Sequence, residues 1–259
     1  KHHKNYSFMN QDDFFYKEID KSGEETLNVI ASANNFNKWM FQTIKPFCKG
    51  NILEIGSGLG NISNFFIQNN YSIFLSDIRN NYCTHLEQKF QNNKNLLGID
   101  KINLVDKDFD ELNKKLINKF DTVFALNVIE HIEDDNLAII NCKKLLKENG
   151  NLIILVPAYQ ILYNHFDKEL FHFRRYQKTE LTQIFKKNKF TIIKSFYFNA
   201  LAIIGWFVSG KIAKNKIIPS SQMGFYNKIV FFAKIIDLIL FNKIGLSTVV
   251  VGRKNKIVK

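Results

Sequence analysis

Short apolar runs alternate with amphipathic segments through the middle of this chain. Runs typical of buried parallel strands lie at residues 51–55, 71–77, 102–105, 120–126 and 151–156. Between the strands, apolar residues recur at helical spacing, as in Ala138, Ile139, Cys142, Leu145 and Leu146. This order predicts an α/β fold with a doubly wound, mostly parallel sheet that carries helices on both faces.

The segments at either end depart from this alternation. Residues 1–50 contain two or three stretches of helical spacing, and Pro46 and Gly50 mark the entry into the first strand. We therefore divide the chain into an N-terminal helical segment, 1–50, and a main domain, 51–259. Asp134 is the expected N-cap of the helix after the fourth strand, and Gly150 its expected C-terminal stop.

Two later strands, 191–198 and 246–252, are separated by residues 199–244, which is far longer than an ordinary connection. This helical insertion carries an apolar run at 200–208 and a second at 225–240 that lysines interrupt. Both runs are too short or too broken to span a bilayer. They predict either a buried helical subdomain or a surface that meets lipid or an apolar acceptor.

Gly56, Gly58 and Gly60 follow the first strand directly, and a helical pattern begins behind them. A strand, a glycine turn and a helix together let backbone N–H groups approach a ligand closely. Asn61 stands where a dinucleotide-binding turn would place its last glycine. Glu54 precedes the turn by two positions, and a carboxylate there suits a cationic ligand better than a pyrophosphate.

This stretch resembles motif I of the class I S-adenosylmethionine (SAM)-dependent methyltransferases, whose cofactor carries an amino group and a sulfonium. The resemblance covers roughly residues 35–198 and the last strand, through four motifs in the family's order. It implies a seven-stranded, Rossmann-like sheet with an antiparallel last strand. It also implies SAM as the cofactor and S-adenosylhomocysteine as the product.

Two carboxylates in the later motifs are expected to hold the adenosine. Asp77 lies 21 positions after Gly56 (77 − 56) at the end of the second strand, where the family binds both ribose hydroxyls. Asp108 with Phe109 best matches the pair that contacts adenine in the family, and Asp106 is the competing carboxylate.

The resemblance places Asn127 and Val128 under the methionine moiety of the cofactor. Trp39 belongs to a helix that either forms a lid over the cofactor or packs across the edge of the sheet. His131 is either a catalytic base or a residue that pins its loop. The expected cofactor-binding residues are Trp39, Glu54, Gly56, Ser57, Gly58, Gly60, Asp77, Ile78, Asp108, Phe109, Asn127 and Val128.

Titratable and aromatic residues concentrate at 157–176, after the fifth strand, where an open α/β sheet holds its ligands. Methyl transfer to oxygen or nitrogen removes a proton from the acceptor, so a base is expected there. The catalytic candidates are His165, Asp167, His172 and Tyr176. The substrate-binding candidates are Tyr163, Arg174 and Arg175, of which the arginines suit a carboxylate or a phosphate.

The alternative for this segment is a structural bridge in which Arg174 pairs with Asp167. Its order of Pro-Ala, then Asp, then His-x-Arg-Arg-Tyr is similar to a bacterial subgroup of the methyltransferases. Members of that subgroup are often associated with cell-surface glycan or lipid biosynthesis, which the resemblance extends to this chain as an expectation.

The formal net charge is +12, and the ten Lys or Arg residues against Asp237 alone from residue 199 onward supply +9 of it (10 − 1). Such a basic region suggests an anionic partner, for example a membrane surface. Three scattered cysteines indicate a reduced, cytoplasmic protein, which can also lie at the inner face of the membrane. Residues 1–5 do not have the pattern of a secretory signal, and no spacing indicates a metal site.

The sequence thus predicts a SAM-dependent methyltransferase that acts on a small-molecule, glycan or lipid-linked acceptor, at oxygen. Nucleic-acid or protein methylation is the alternative that the basic charge allows. Nucleic acid is disfavoured because Val-Ile follows Asn127, where base-amine methylases of similar fold carry two prolines and an aromatic residue. An aminopropyl-transferring or SAM-binding relative on the same fold is a further alternative.

Overall fold

The computed structural model describes residues 21–215 and 217–256, so the helical patterns expected before residue 21 lie outside the described part. Within it, one sheet has the strand order β3-β2-β1-β4-β5-β7-β6. The strands are β1 (Ile52–Ile55), β2 (Ile73–Asp77), β3 (Leu96–Lys101), β4 (Phe120–Leu126), β5 (Leu146–Pro157), β6 (Phe190–Phe198) and β7 (Ser247–Lys254). β1 to β5 pair in parallel, and β7 runs antiparallel between β5 and β6. The predicted fold class is confirmed.

Helices cover both faces of this sheet. They are α1 (Lys21–Ala31), α2 (Asn34–Ile44), α3 (Asn61–Gln68), α4 (Asn80–Phe90), α5 (Phe109–Leu112), α6 (Asp135–Leu145), α7 (His165–Glu169), α8 (Lys178–Lys187), α9 (Ala202–Trp206) and α10 (Ser220–Ile239). A π-helical stretch, Phe207–Ile212, continues α9.

The core is split into two layers because neighbouring strand residues point to opposite faces. Leu53 and Val123 face the layer of α6 and α8, where Ile139 and Phe185 are fully buried. Ile52, Phe124 and their neighbours face the layer of α2, α3 and α10. Burying one such large apolar side chain stabilises the fold by about 1.5–3 kcal/mol.

The third strand differs from its predicted position. The apolar run 102–105 is the loop beyond β3, and the strand itself lies earlier, at Leu96–Lys101. Ile102 and Leu104 are buried because this loop packs on the core, while the edge strand leaves most of its own side chains partly exposed. Gly98 sits beside the ring of Phe74, which a Cβ there would meet at 2.6 Å.

The helix after β4 begins as predicted, since the Asp134 side chain accepts a hydrogen bond from the Leu137 N–H at 2.8 Å. Its end differs from the prediction, because α6 stops at Leu145 and β5 begins at Leu146. Lys147 therefore lies in the strand and binds the Asp121 carboxylate at 2.8 Å. Gly150 is likewise a strand residue and not a helix stop.

The insertion between β6 and β7 is docked on the main domain. α10 buries Met223, Val230 and Ala233 against the layer that contains α2. The buried Asp237 carboxylate accepts hydrogen bonds from the backbone N–H groups of Asn199 at 2.6 Å and Ala200 at 2.8 Å. These two bonds fix the last turns of α10 to the chain that leaves β6.

Candidate active site

A cavity of about 1210 Å³ lies beyond the carboxyl ends of the parallel strands. This is the edge at which open α/β sheets bind ligands. Its walls come from the glycine turn after β1, the loops after β2 to β5, helices α1 and α2, and the insertion. Because ligand pockets commonly measure about 300–1,000 Å³, this volume can hold two ligands side by side.

The glycine turn forms one wall through Gly56, Ser57 and Gly58. Gly56 has φ of 72°, and a Cβ there would approach the Val128 side chain at 2.5 Å. Gly60 has the same φ and lies at the N-cap of α3, against the ring of Phe90 rather than along the cavity. Only glycine fits both positions without strain, so the turn can bring its backbone close to a ligand.

Glu54 lies at the base of this wall and is almost completely buried. The Ser63 hydroxyl donates a hydrogen bond to its carboxylate. Burial raises the pKa of Glu54 to about 8, since the surrounding protein solvates the charge poorly. A cationic ligand in the cavity would favour the ionised form of this side chain.

Asp77 ends β2 and faces the same cavity together with Ile78. One carboxylate oxygen accepts a hydrogen bond from Gly58 N–H and the other from Arg79 N–H, each at 3.0 Å. Burial raises the pKa of Asp77, and these backbone bonds counteract the rise. The pair of bonds fixes the orientation of the carboxylate, which keeps further lone pairs for a ligand.

The segment after β4 meets the glycine turn. Asn127 and Val128 both line the cavity, and Val128 is the residue that contacts Gly56. Asn127 has φ of 54°, in the left-handed region that asparagine tolerates better than most residues. Its N–H donates to Leu155 O at 2.8 Å, which ties the bend to β5.

Besides Gly60, three expected cofactor residues lie away from the cavity. Trp39 is buried against Phe198, with ring centroids 4.3 Å apart, while its helix neighbours Phe36 and Met40 line the wall. Asp108 is exposed at the start of α5 and Phe109 is buried in the core.

The adenine assignment fails to fit because β3 ends at Lys101, and the loop directly after it occupies this wall. Asn103, on that loop, is the polar side chain that sequence reasoning missed. Asp106 does not line the cavity either.

On the acceptor side, Asp167 is fully buried in α7 and joins two cavity residues. It accepts a hydrogen bond from His172 Nδ1 at 2.8 Å and one from Arg175 Nε at 2.8 Å. Burial alone would raise the pKa of Asp167, but the His172 hydrogen bond and the Arg175 charge bring it below its usual value. Asp167 therefore orients His172 and Arg175 and does not itself line the cavity.

Arg175 is held from three sides. Besides Asp167, it donates to Ala158 O at 3.1 Å, and its guanidinium lies 4.5 Å from the ring centroid of Trp206. The expected alternative of an Arg174–Asp167 pair is wrong, because Arg174 binds the Asp135 carboxylate at 2.9 Å. The expected ion pair between an arginine and Asp167 is therefore present, but the arginine is Arg175 and not Arg174.

The remaining acceptor candidates do not line the cavity. His165 is exposed at the first position of α7. The Tyr163 hydroxyl donates to His172 O at 2.7 Å, and the Tyr176 hydroxyl donates to Asp135 at 2.9 Å from within the core. Among the seven acceptor-side residues proposed from sequence, His172 and Arg175 are the two that face the cavity.

The structure also brings together a cluster that the sequence did not indicate. Glu130, His131 and His172 each present one possible ligand atom, and these atoms lie within 4.8 Å of one another. The sequence-based expectation of no metal site stays a prediction, since the cluster shows only that three possible ligand atoms lie close together. Glu130 and His131 are adjacent after β4, but His172 lies 41 positions after His131 (172 − 131). Their spacing in the sequence therefore did not indicate a cluster.

Glu130 is 0% exposed, and neither of its carboxylate oxygens has a hydrogen-bond partner. Burial raises its pKa to about 8. Burial lowers the pKa of His131 to about 3, and the nearby His172 and Arg79 add to the effect. Near neutral pH the His131 ring is thus uncharged.

The outer end of the cavity is apolar and belongs to the insertion. Trp206, Met223 and Ile229 line it. Ile204 and Phe225 line it as well, and each is 65% exposed, so the cavity opens to solvent between them. One face of α10 is buried, and its neighbours line the cavity. A contact of the insertion with lipid or with an apolar acceptor stays a prediction.

Comparison with known proteins adds a family match. A family model described as a methyltransferase domain matches residues 53–152. A probable polyketide synthase of Dictyostelium discoideum is 27% identical over 163 residues, which cover 53% of this chain and 6% of that protein. The chain therefore corresponds to a small part of that curated relative.

Solved structures share the fold at low identity. Phosphoethanolamine N-methyltransferase 2 of Haemonchus contortus, in complex with SAM, superposes with a TM-score of 0.59 at 15% identity, over 92% of this chain and 59% of that one. A SAM-dependent methyltransferase of Archaeoglobus fulgidus gives 0.55 at 16% identity, over 84% and 94%. The [4+2]-cyclase SpnF gives 0.58 at 10% identity, over 91% and 94%. At such identities the likeness shows the fold alone.

Proposed function

We propose that this chain, whose residues 53–152 match a methyltransferase-domain family model, is a SAM-dependent methyltransferase that transfers the methyl group of SAM to an acceptor oxygen held in the same cavity. The observation that carries the proposal is the continuity of that cavity. The glycine turn and Asp77 form one end, His172 and Arg175 stand in the middle wall, and the apolar insertion forms the other end.

The cofactor half of the cavity suits SAM by the chemistry of its donors. SAM supplies a methyl group bonded to a sulfonium. Asp77 is positioned to accept hydrogen bonds from ribose hydroxyls, and Asn127 and Val128 to contact the methionine moiety. Glu54, the buried carboxylate beneath the glycine turn, complements the amino group. We assign the adenine to the loop after β3 and not to Asp108.

Methyl transfer is an in-line displacement that depends mainly on the positions of the two reacting atoms. An acceptor hydroxyl must also lose its proton, so the site needs a group that lowers the pKa of the hydroxyl or accepts the proton. We assign this role to the cluster of Glu130, His131 and His172, with Asp167 as the residue that orients His172. Arg175 is positioned to hold an anionic group of the acceptor.

The acceptor itself is proposed to carry an apolar part, as a lipid-linked molecule does. The support is the apolar outer end of the cavity and its opening between Ile204 and Phe225. Elsewhere on the insertion, large apolar side chains remain exposed, namely Phe207, Val208, Ile212, Phe231, Phe232, Leu238 and Ile239. A small metabolite or a free glycan would not need this surface.

The same surface leads us to propose that the protein rests on the inner face of a membrane. Within the described part of the chain, the helices are too short or too polar for a membrane-spanning segment. α10 nevertheless exposes Phe225, Phe232 and Ile239 on the side opposite its buried residues, and Lys228 lies among them. An apolar helix face with neighbouring lysines is typical of segments that lie in the plane of an anionic lipid surface.

The test follows the transferred methyl group. Purified protein is incubated with host-cell extract and methyl-labelled SAM, and the label is measured in the organic, small aqueous and macromolecular fractions. Label in the organic fraction supports a lipid-linked acceptor. Label in the small aqueous fraction would support methyl transfer but contradict a lipid-linked acceptor. Label in the macromolecular fraction would show that the acceptor is a protein or a nucleic acid. No transfer from any extract, with SAM bound, would overturn the activity.

A further inference from the structure

The Glu130, His131 and His172 cluster has an unusual chemical composition, because a buried carboxyl group without a hydrogen-bond partner lies beside two imidazoles. Both Glu130 carboxylate oxygens are buried and have no hydrogen-bond partner. An unpaired carboxylate inside a protein is expensive unless a cation or hydrogen-bond donors reach it.

One ring nitrogen of each histidine belongs to the group of possible ligand atoms. His172 Nδ1 lies 2.8 Å from the Asp167 carboxylate oxygen that also accepts a hydrogen bond from Arg175 Nε, so this oxygen is an acceptor and Nδ1 carries the hydrogen. Its Nε2 is then the free acceptor. One ring nitrogen of His131 lies within 4.8 Å of the other two possible ligand atoms, and a neutral imidazole carries one acceptor nitrogen.

The hydrogen bond from His172 to Asp167 is of the kind that orients metal-binding histidines, which almost always donate the second N–H to a carboxylate or a backbone carbonyl. The ring centroids of His131 and His172 are 4.6 Å apart, and the two ring planes are nearly perpendicular. Ligand atoms that are about 2.0–2.2 Å from a tetrahedral ion lie about 3.3–3.6 Å from one another. The three possible ligand atoms lie within 4.8 Å of one another, so they would move up to about 1.5 Å closer together when an ion binds.

We propose that Glu130, His131 and His172 bind a divalent transition-metal ion of the Zn²⁺ class. Two imidazoles and one carboxylate are a ligand set that such ions accept, and three protein ligands leave coordination positions open towards the cavity. The charges are compatible, since Glu130 and Asp167 offset the buried Arg175 and leave one negative charge for the ion.

The role of the ion rests on the proposed function. A cation at this wall would bind the acceptor oxygen and lower the pKa of its hydroxyl, so that the proton would pass to water. The oxygen would then attack the methyl carbon as the carbon–sulfur bond of the sulfonium breaks. His172 would then act as a ligand and not as a free base. Glu130 and His131 would be needed for acceptor activation without contacting the cofactor.

The test measures metal binding directly, without SAM or an acceptor. The full chain is stripped with a chelator and titrated with Zn²⁺ by calorimetry, and with Co²⁺ by visible absorption. One equivalent should bind with micromolar or tighter affinity. Glu130→Gln and His172→Ala should each weaken binding at least tenfold, while the matched control His85→Ala, an exposed histidine on α4, should not.

Calorimetry with SAM shows whether each variant is folded, since the cofactor half of the cavity does not depend on this cluster. Absence of Zn²⁺ binding by the folded parent chain would overturn the inference, and so would equal binding by parent and variants. If methyl transfer continues undiminished in excess chelator, the metal inference fails while the proposed function stands. If no methyl transfer is found but Zn²⁺ binds at these residues, the proposed function fails while the metal inference stands.

Discussion

Two buried carboxylates beside the glycine turn have different hydrogen-bond partners, and this difference suits them to bind different parts of a ligand. Asp77 receives two backbone N–H bonds that fix its position, whereas Glu54 receives a serine hydroxyl. A backbone-fixed carboxylate is suited to accept hydrogen bonds from a neutral group such as a ribose. A buried carboxylate with a pKa raised to about 8 is suited to change its charge when a cation arrives.

Asp77→Ala should weaken the binding of SAM and of S-adenosylhomocysteine about tenfold to a hundredfold. The reason is the loss of hydrogen bonds to a charged acceptor, each of which contributes about 1.5–3 kcal/mol. Calorimetry measures both ligands. The matched control is Asp108→Ala, which removes an exposed carboxylate outside the cavity and should leave affinity unchanged. Equal loss in the control would restore the sequence-based adenine assignment.

Glu54 should make SAM binding depend on pH. Below its pKa of about 8 the free protein holds a proton on this carboxyl group, and the amino group of SAM favours the ionised form, so binding releases the proton. Affinity should therefore rise as the pH increases towards 8, by up to about tenfold per pH unit. Calorimetry in buffers of different ionisation enthalpy detects the proton, and Glu54→Gln should abolish its release. Identical heats in all buffers would contradict this assignment.

At the scale of helices and strands, the sequence predicted those elements whose position is set by the local pattern of apolar and polar residues. The strand, glycine turn and helix at residues 51–68 form as predicted, because apolar run, glycine spacing and helical periodicity agree there. The alternation of strands and helices predicted the mostly parallel sheet, and the family resemblance implied the antiparallel last strand. β3 was misplaced because an edge strand has mixed polarity, while the loop behind it has the apolar content of a strand.

The candidate site was predictable only where one segment supplies it. The cofactor wall comes from residues that follow strands directly, and their place at the sheet edge is fixed by topology. The Glu130–His172 contact joins two loops, and which arginine reaches Asp167 depends on the path of the chain after α7. Side-chain direction in loops is set by tertiary packing, which a single sequence does not display.

α10 depends on one buried carboxylate for its attachment to β6. Asp237→Ala should remove the acceptor from two buried backbone N–H groups, Asn199 and Ala200, and destabilise the protein by about 2–4 kcal/mol. Urea denaturation measures the loss. The control is Asp110→Ala, which breaks an exposed pair with Lys144 and should change stability by no more than about 0.5 kcal/mol. Similar losses in both variants would show that Asp237 has no special role.

Over the whole molecule, charge and exposed apolar surface coincide in the insertion. Lys211, Lys214, Lys228 and Lys243 are exposed there, and the acidic residue of that region, Asp237, is buried. Lys254, by contrast, is buried and bonded to Leu146 O and Asn118, so it adds nothing to the surface charge. The cavity opens on this same side, which would let an acceptor pass from a membrane to His172 without crossing water.

If this side rests on lipid, the protein should float with anionic liposomes at low salt and be released as salt screens the lysines. Phe231→Ser combined with Leu238→Ser should reduce flotation severalfold, because both side chains are about two-thirds exposed, at 66% and 70%, and neither lines the cavity. The matched control is Leu112→Ser, which removes a side chain exposed to 66% on α5, outside the insertion. Unchanged flotation of the double variant would mean that lysines alone hold the protein, and absence of flotation by the parent chain would remove the membrane from the proposal. SAM affinity should stay constant throughout, since the cofactor wall lies at the other end of the cavity.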